Sequence, residues 1–154
     1  MKTKALIVTF ITLLFLVFAY TFFLHSPNNK IQWVNYTDNV LLNAKKRHQR
    51  VLIFAEANYC DWCKQMETIN FTDPTIIKLI NTNYLPVILD VEKNINAVSQ
   101  FHILNLPTLI FINNDGREMT RNDAYLDVKS MIELFHSVSL KQTNDTISSS
   151  IHHE

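Results

Sequence analysis

The 154-residue chain holds one glycine, two cysteines and no excess of either charge, with 14 basic and 14 acidic residues. Balanced charge leaves no electrostatic footprint for nucleic acid, and no nucleic acid partner is expected. The single glycine falls in Asn113-Asn-Asp-Gly116, a hairpin turn, so the other turns are made without one. Two cysteines cannot form a zinc site alone; tetrahedral zinc wants a further Cys or His pair. His152-His153 and the scattered single histidines are poor candidates, and no metal is expected. A structural disulfide across two intervening residues would close a very short loop and stabilise little by chain entropy.

Those two cysteines, Cys60 and Cys63, follow the apolar run Val51 to Ala55 and precede Lys64-Gln65-Met66-Glu67, where a helical pattern begins. A buried strand therefore hands over to a helix at the first thiol. Unpaired backbone N–H groups and the positive end of the helix dipole favour thiolate there. The second thiol, one turn on, is near enough to attack a mixed disulfide formed at the first. Reversible dithiol–disulfide exchange is the favoured reading over the structural disulfide, zinc and two unrelated buried cysteines.

The N-terminus is the other strong signal. Ala5 to Leu24 carries no charge and is long enough to span a bilayer as a helix. Tyr20 spoils the small-residue pattern of a cleavage site, so residues 1–24 read as an uncleaved anchor before a removed signal. Lys2 and Lys4 precede the span and favour a cytoplasmic N-terminus, placing the remainder outside, where disulfides form.

Residues 25–36 read as a linker, 37–138 as one domain and the serine-rich 139–154 as a disordered tail. Within the domain, a helix from about Asn39 to His48 is expected, capped by Thr37 or Asp38. Its basic end, Lys45-Lys46-Arg47-His48, reads as a solvated complement to the helix dipole. Asp73-Pro74 starts another helix. Tyr84 to Val91 is a second strand, parallel to the first, and Asn96 to Phe101 a short helix. A strand opening at Pro107 turns at Gly116 and returns antiparallel, and Val128 to Val138 closes the domain as a helix with Met131 and Phe135 inward.

This βα, βα, β-hairpin, α order, with Cys-x-x-Cys after the first strand and proline before the third, resembles the thioredoxin fold: an α/β domain with a central mixed sheet flanked by helices. The runs Cys-Asp-Trp-Cys-Lys-Gln-Met-Glu, Phe-Thr-Asp-Pro and Leu-Pro-Thr-Leu-Ile-Phe look most like the C-terminal thioredoxin-like domain of DsbD and its free-standing bacterial relatives, over roughly Asp38 to Ser137. The resemblance implies that Cys60 attacks and Cys63 resolves. It implies a cis Pro107, with the Leu106 backbone pairing to an extended substrate segment and Tyr59 and Trp62 beside it. It also implies disulfide-containing clients, a membrane or thioredoxin-type electron donor, no cofactor and a place in the cell envelope.

The chain departs from the pattern at Phe54, six residues before Cys60, where many thioredoxins carry a buried aspartate. Glu56 is the nearest acid; it is expected on the opposite strand face, solvated or capping first and a proton relay second. Tyr59 stands where tryptophan is usual, and the glycine common after the hairpin is absent near Ala124-Tyr125. A membrane-anchored thiol–disulfide reductase is thus the first expectation. A thioredoxin-fold binding module without turnover is the alternative. Copper handling through both thiols and a nearby His or Met comes third, with Met66 reading as core.

Overall fold

The computed structural model describes residues 10–18, 20 and 29–151, the side chains of 142–151 excepted. Its centre is β2 (Val51–Glu56), whose first five residues are all buried. A strand apolar on both faces must lie inside a sheet covered on both sides. β2 pairs in parallel with β3 (Leu85–Asp90) and antiparallel with β4 (Thr108–Ile112). β1 (Val34–Asn35) adds to β3 in parallel, β5 (Glu118–Asn122) to β4 antiparallel, and the order is β1-β3-β2-β4-β5.

Alternation along β2 sorts the core into two layers. Leu52 and Phe54 face α2 (Asp61–Ile69), α3 (Pro74–Asn83) and α5 (Val128–Ile151), in one cluster with Cys60, Cys63, Met66, Ile76, Met131 and Phe135. Val51, Ile53 and Ala55 face α1 (Val40–Lys46) and α4 (Ile95–Gln100), with Val40, Ala44 and Ala97. The sheet is mixed and flanked by helices on both faces.

Local chemistry explains most boundaries. The Asp73 carboxylate accepts from the backbone N–H groups of Thr75 and Ile76, with Pro74 in the first turn, so α3 starts where a cap and a preset φ coincide. Gly116 takes φ +82° in the hairpin. α1 lacks the expected Thr37 or Asp38 cap: Asn39 flanks it without a side-chain bond, and the helix ends at Lys46. His48 turns to φ 53° and lets the Gln49 N–H reach the Ala44 carbonyl at 2.9 Å.

Two expected boundaries are corrected. The linker assigned to 25–36 is in part domain: β1 pairs with β3, Ile31 and Tyr36 are buried, and Trp33 packs edge-on against Phe71 at 5.0 Å and tilted against Phe54 at 5.9 Å. The helix expected to close at Val138 continues to Ile151, through the tail expected to be disordered. No proline or glycine interrupts 139–151, and extending a helix already nucleated by packing is far easier than starting one. Half of the apolar stretch 5–24 lies outside the described residues. Residues 10–18 and 20 are helical, and the apolar side chains of that piece from Phe10 to Phe18 are exposed. Among the described residues no helix is long and apolar enough to cross a membrane.

Phe54 is fully buried, 4.9 Å from the Phe71 ring centroid in an edge-on contact. Phe54→Ala is expected to lower unfolding free energy by about 3–5 kcal/mol, read as a lower urea midpoint with an unchanged slope.

Candidate active site

Cys60 sits at the junction between the β2 end and α2, its backbone N–H bonded to the Ala57 carbonyl at 3.0 Å. It is the N-cap of α2, and its Sγ accepts the Cys63 backbone N–H at 3.1 Å. A sulfur in that place occupies the position normally taken by a serine or aspartate oxygen. The two cysteines are joined as a disulfide. Once the bond is reduced, the same N–H and the helix dipole act on a Cys60 thiolate and favour it over the thiol. Cys60 keeps 8 % of its surface open and Cys63 only 1 %, so Cys60 is the more accessible sulfur of the two.

Around the pair stand large side chains that the fold does not cover. Tyr59 is 70 % exposed and Trp62 55 %, and Trp62 lies 5.1 Å from the ring of Tyr125. Leu106 and Tyr125 pack at the margin of the cluster that contains both cysteines. Pro107 is buried and the Leu106–Pro107 bond is cis. Thr108, next along, pairs with Ala55 near the end of β2, which brings the proline turn to the pole where the dithiol sits. The Thr108 hydroxyl, fully buried, lies 2.7 Å from the Asn105 carbonyl and 3.1 Å from the Asp123 carboxylate, sharing its proton between them.

Asn70 adds a second tether. Its side-chain amide donates to the Leu126 carbonyl at 3.0 Å from a fully buried position. Asp123 and Leu126 are thus fixed on either side of Tyr125, which holds the ring that meets Trp62. In the sequence Tyr125 stands out only as a neighbour of a missing glycine. Its signal was an aromatic in the short segment between hairpin and last helix, and the pairing needs three-dimensional placement to be seen. Among the described residues no three His, Cys, Asp or Glu side chains converge to hold a metal ion; His152 and His153 lie outside them.

The acids require one correction. Glu56 does not face away from Phe54: residues two apart on a strand share a face, and Phe54 is on the dithiol side of the sheet. The carboxyl of Glu56 is held above its ordinary value, first by burial, then by the charges of Asp90 and of Glu67 on α2, with Lys93 opposing them. Asp90 is its partner across the parallel register and is ion-paired to Lys93, which holds Asp90 below the usual range. Glu67 is also raised, chiefly by burial. The Asn58 N–H donates to Glu92 at 3.1 Å, so the loop between Glu56 and Cys60 is fastened to the same acidic group.

A carboxyl with a raised folded value binds its proton more tightly folded than unfolded. Its stabilising contribution is full below the unfolded value, near 4.5, and is lost as pH climbs through the folded one. Glu56→Gln should therefore raise stability at pH 7 relative to the parent and leave it unchanged near pH 3. Urea unfolding at the two pH values checks this.

Comparison with known proteins agrees with the geometry. Residues 17–120 match the family model described as Thioredox_DsbH, protein of unknown function, DUF255. The thiol:disulfide interchange protein DsbD of Pasteurella multocida is 27 % identical over 116 residues, covering 68 % of this chain and 20 % of that protein. Its namesake from Haemophilus ducreyi is 33 % identical over 76 residues, covering 47 % of this chain and 13 % of that protein. The chain thus spans a fifth or less of these curated relatives. A thioredoxin from Thermus thermophilus superposes with a TM-score of 0.65 at 18 % identity, over 81 % of this chain and 98 % of its own. A structure described as DsbH oxidoreductase gives 0.59 at 19 %, over 71 % and 84 %. These two likenesses show the fold, the family match covers most of the domain, and the chain belongs to the thioredoxin-like DsbH (DUF255) family.

Proposed function

We propose that this protein is a membrane-anchored thiol–disulfide oxidoreductase of the bacterial cell envelope that reduces disulfides in client proteins. The observation that carries the reading is the Cys60 Sγ seated at the N-cap of α2, with Cys63 buried one turn behind it. In the reduced protein the Cys60 thiolate attacks one sulfur of a client disulfide, and the other client sulfur leaves as a thiol. Cys63 gives up its proton and attacks Cys60, which releases the second client thiol and closes the Cys60–Cys63 bond. Two electrons pass to the client through the sulfurs without a cofactor; one proton comes from Cys63 and the second from solvent.

A second dithiol protein must restore the reduced state, and a membrane or thioredoxin-type carrier is the class of donor that does so. The groove between Tyr59, Trp62 and the Leu106–Pro107 turn is where an extended client segment would lie, pairing with the Leu106 backbone. Glu56, on the dithiol side of the sheet, is the acid we assign to accept the Cys63 proton. Residues 5–24 would hold the protein in the membrane, a role supported by the apolar side chains exposed around the described part of that helix.

The second reading is a binding module that holds clients without turnover. It is kept by Phe54, an aromatic ring where a proton-relay acid is common in this fold. One pair of variants separates the two. Under the oxidoreductase reading, Cys63→Ser accumulates mixed disulfides through Cys60, seen as thiol-sensitive bands in non-reducing gels, and the double Cys60→Ser/Cys63→Ser variant recovers none of the same clients. A double variant that retains them as well as the parent does would favour the binding module.

A further inference from the structure

The zero net charge is divided between two poles. Around the dithiol stand Glu56, Asp61, Glu67 and Glu92, the first at the end of β2 and the last bonded to Asn58 in the loop before Cys60. They outnumber the bases there, Lys64 paired with Asp61 and Lys93 paired with Asp90. The opposite pole, where β2 begins, gathers base. α1 runs down to it and ends in Lys45, Lys46 and Arg47. The Lys45 stem lies over the β4–β5 turn, 3.5 Å from where a side chain on Gly116 would start, beside Arg117. Arg50 lies there too, bonded to Asn83 at the end of α3. Lys30 joins them, because its carbonyl accepts from Asn81 in the last turn of α3. Lys30, Lys45, Lys46 and Arg47 are all exposed and form no ion pair among the described residues, while Arg117 is paired with Asp115.

Lys30 is also where the chain enters the domain, six residues after Leu24 closes the apolar stretch. Covalent geometry allows the five residue steps from Leu24 to Asn29 a reach of at most about 17 Å. The polar layer outside the hydrocarbon is about 6 Å deep, so Asn29 lies within about 10 Å of the headgroup surface, close to one Debye length in physiological salt. Lys30 at that distance is within the field of anionic lipid, and the pole it shares with the end of α1 is the one nearest the bilayer.

We propose that the basic pole docks on anionic phospholipid headgroups and sets the orientation of the domain, with the dithiol pole turned away from the bilayer toward its clients. This rests on residues 5–24 being the membrane anchor. It assigns the run Lys45 to Arg47 a binding surface, where the sequence suggested only a solvated helix end.

The test uses the full chain in vesicles of phosphatidylcholine alone, or with about a third phosphatidylglycerol. Lysines are acylated by a water-soluble ester and quantified by mass spectrometry, with Lys64 on α2 as the internal reference. Lys45 and Lys46 should react about threefold more slowly relative to Lys64 in the anionic vesicles, in line with an attractive surface potential, and about 1 M salt should remove the difference. Equal reactivity in both lipids, with the chain still in vesicles washed in alkaline carbonate, would overturn the docking alone. Protection that ignores lipid charge but rises with protein density would assign the pole to a second copy and overturn it as well. Loss of the chain from the washed vesicles would overturn the anchor and the docking with it.

Discussion

One hydrogen bond defines the working end of this protein: the Cys63 backbone N–H donated to the Cys60 sulfur at 3.1 Å. It exists because β2 ends and α2 begins within a few residues, leaving a cysteine where the helix needs an acceptor. Everything on the dithiol side of the sheet serves that junction. Leu52 and Phe54 anchor the strand from below, and Cys63, Met66 and the α3 and α5 side chains close over it. A shift of β2 by one residue would exchange its two core faces and carry the junction away from the side chains that cover it.

The surface around the junction is held by small polar devices rather than by hydrophobic mass. Thr108 and Asn70, the two fully buried polar side chains among the described residues, fasten the segments on either side of Tyr125. Burying a hydroxyl or an amide is tolerated when it is bonded. The Thr108 hydroxyl and the Asn70 NH2 are bonded, while the Asn70 Oδ1 has no partner among the described residues. The bonds made tie the proline turn, the β5–α5 segment and the last helix together. Exposed aromatics such as Tyr59 and Trp62 would be unremarkable singly. Here they flank a two-sulfur site, and Trp62 is backed by Tyr125.

The handover from β2 to α2, the Asp73-Pro74 helix start and the Gly116 hairpin were legible because each rests on local chemistry: an apolar run, a cap with a proline, a glycine turn. What escaped depended on distance along the chain. β1 is two residues long and carries no pattern of its own; it is a strand only because β3, some fifty residues on, offers a free edge. Trp33 has no local signature either, yet it closes the aromatic group under the dithiol with Phe54 and Phe71. The serine-rich end read as disordered by composition, whereas packing of Met131, Phe135 and Val138 nucleates a helix that runs on through it. The side of the sheet taken by Glu56 follows from strand alternation, and its neighbour Glu67 on α2 agrees.

The central claim is that Cys60 and Cys63 form a reversible, reducing couple. It is tested most directly by equilibrating the protein in dithiothreitol or glutathione buffers of graded potential and counting free thiols by mass. A midpoint near thioredoxin's, about −270 mV, is the predicted result. A midpoint near that of DsbA, about −120 mV, would reverse the direction of electron flow and contradict the assignment as a reductase. The absence of any reversible couple would contradict the redox function altogether.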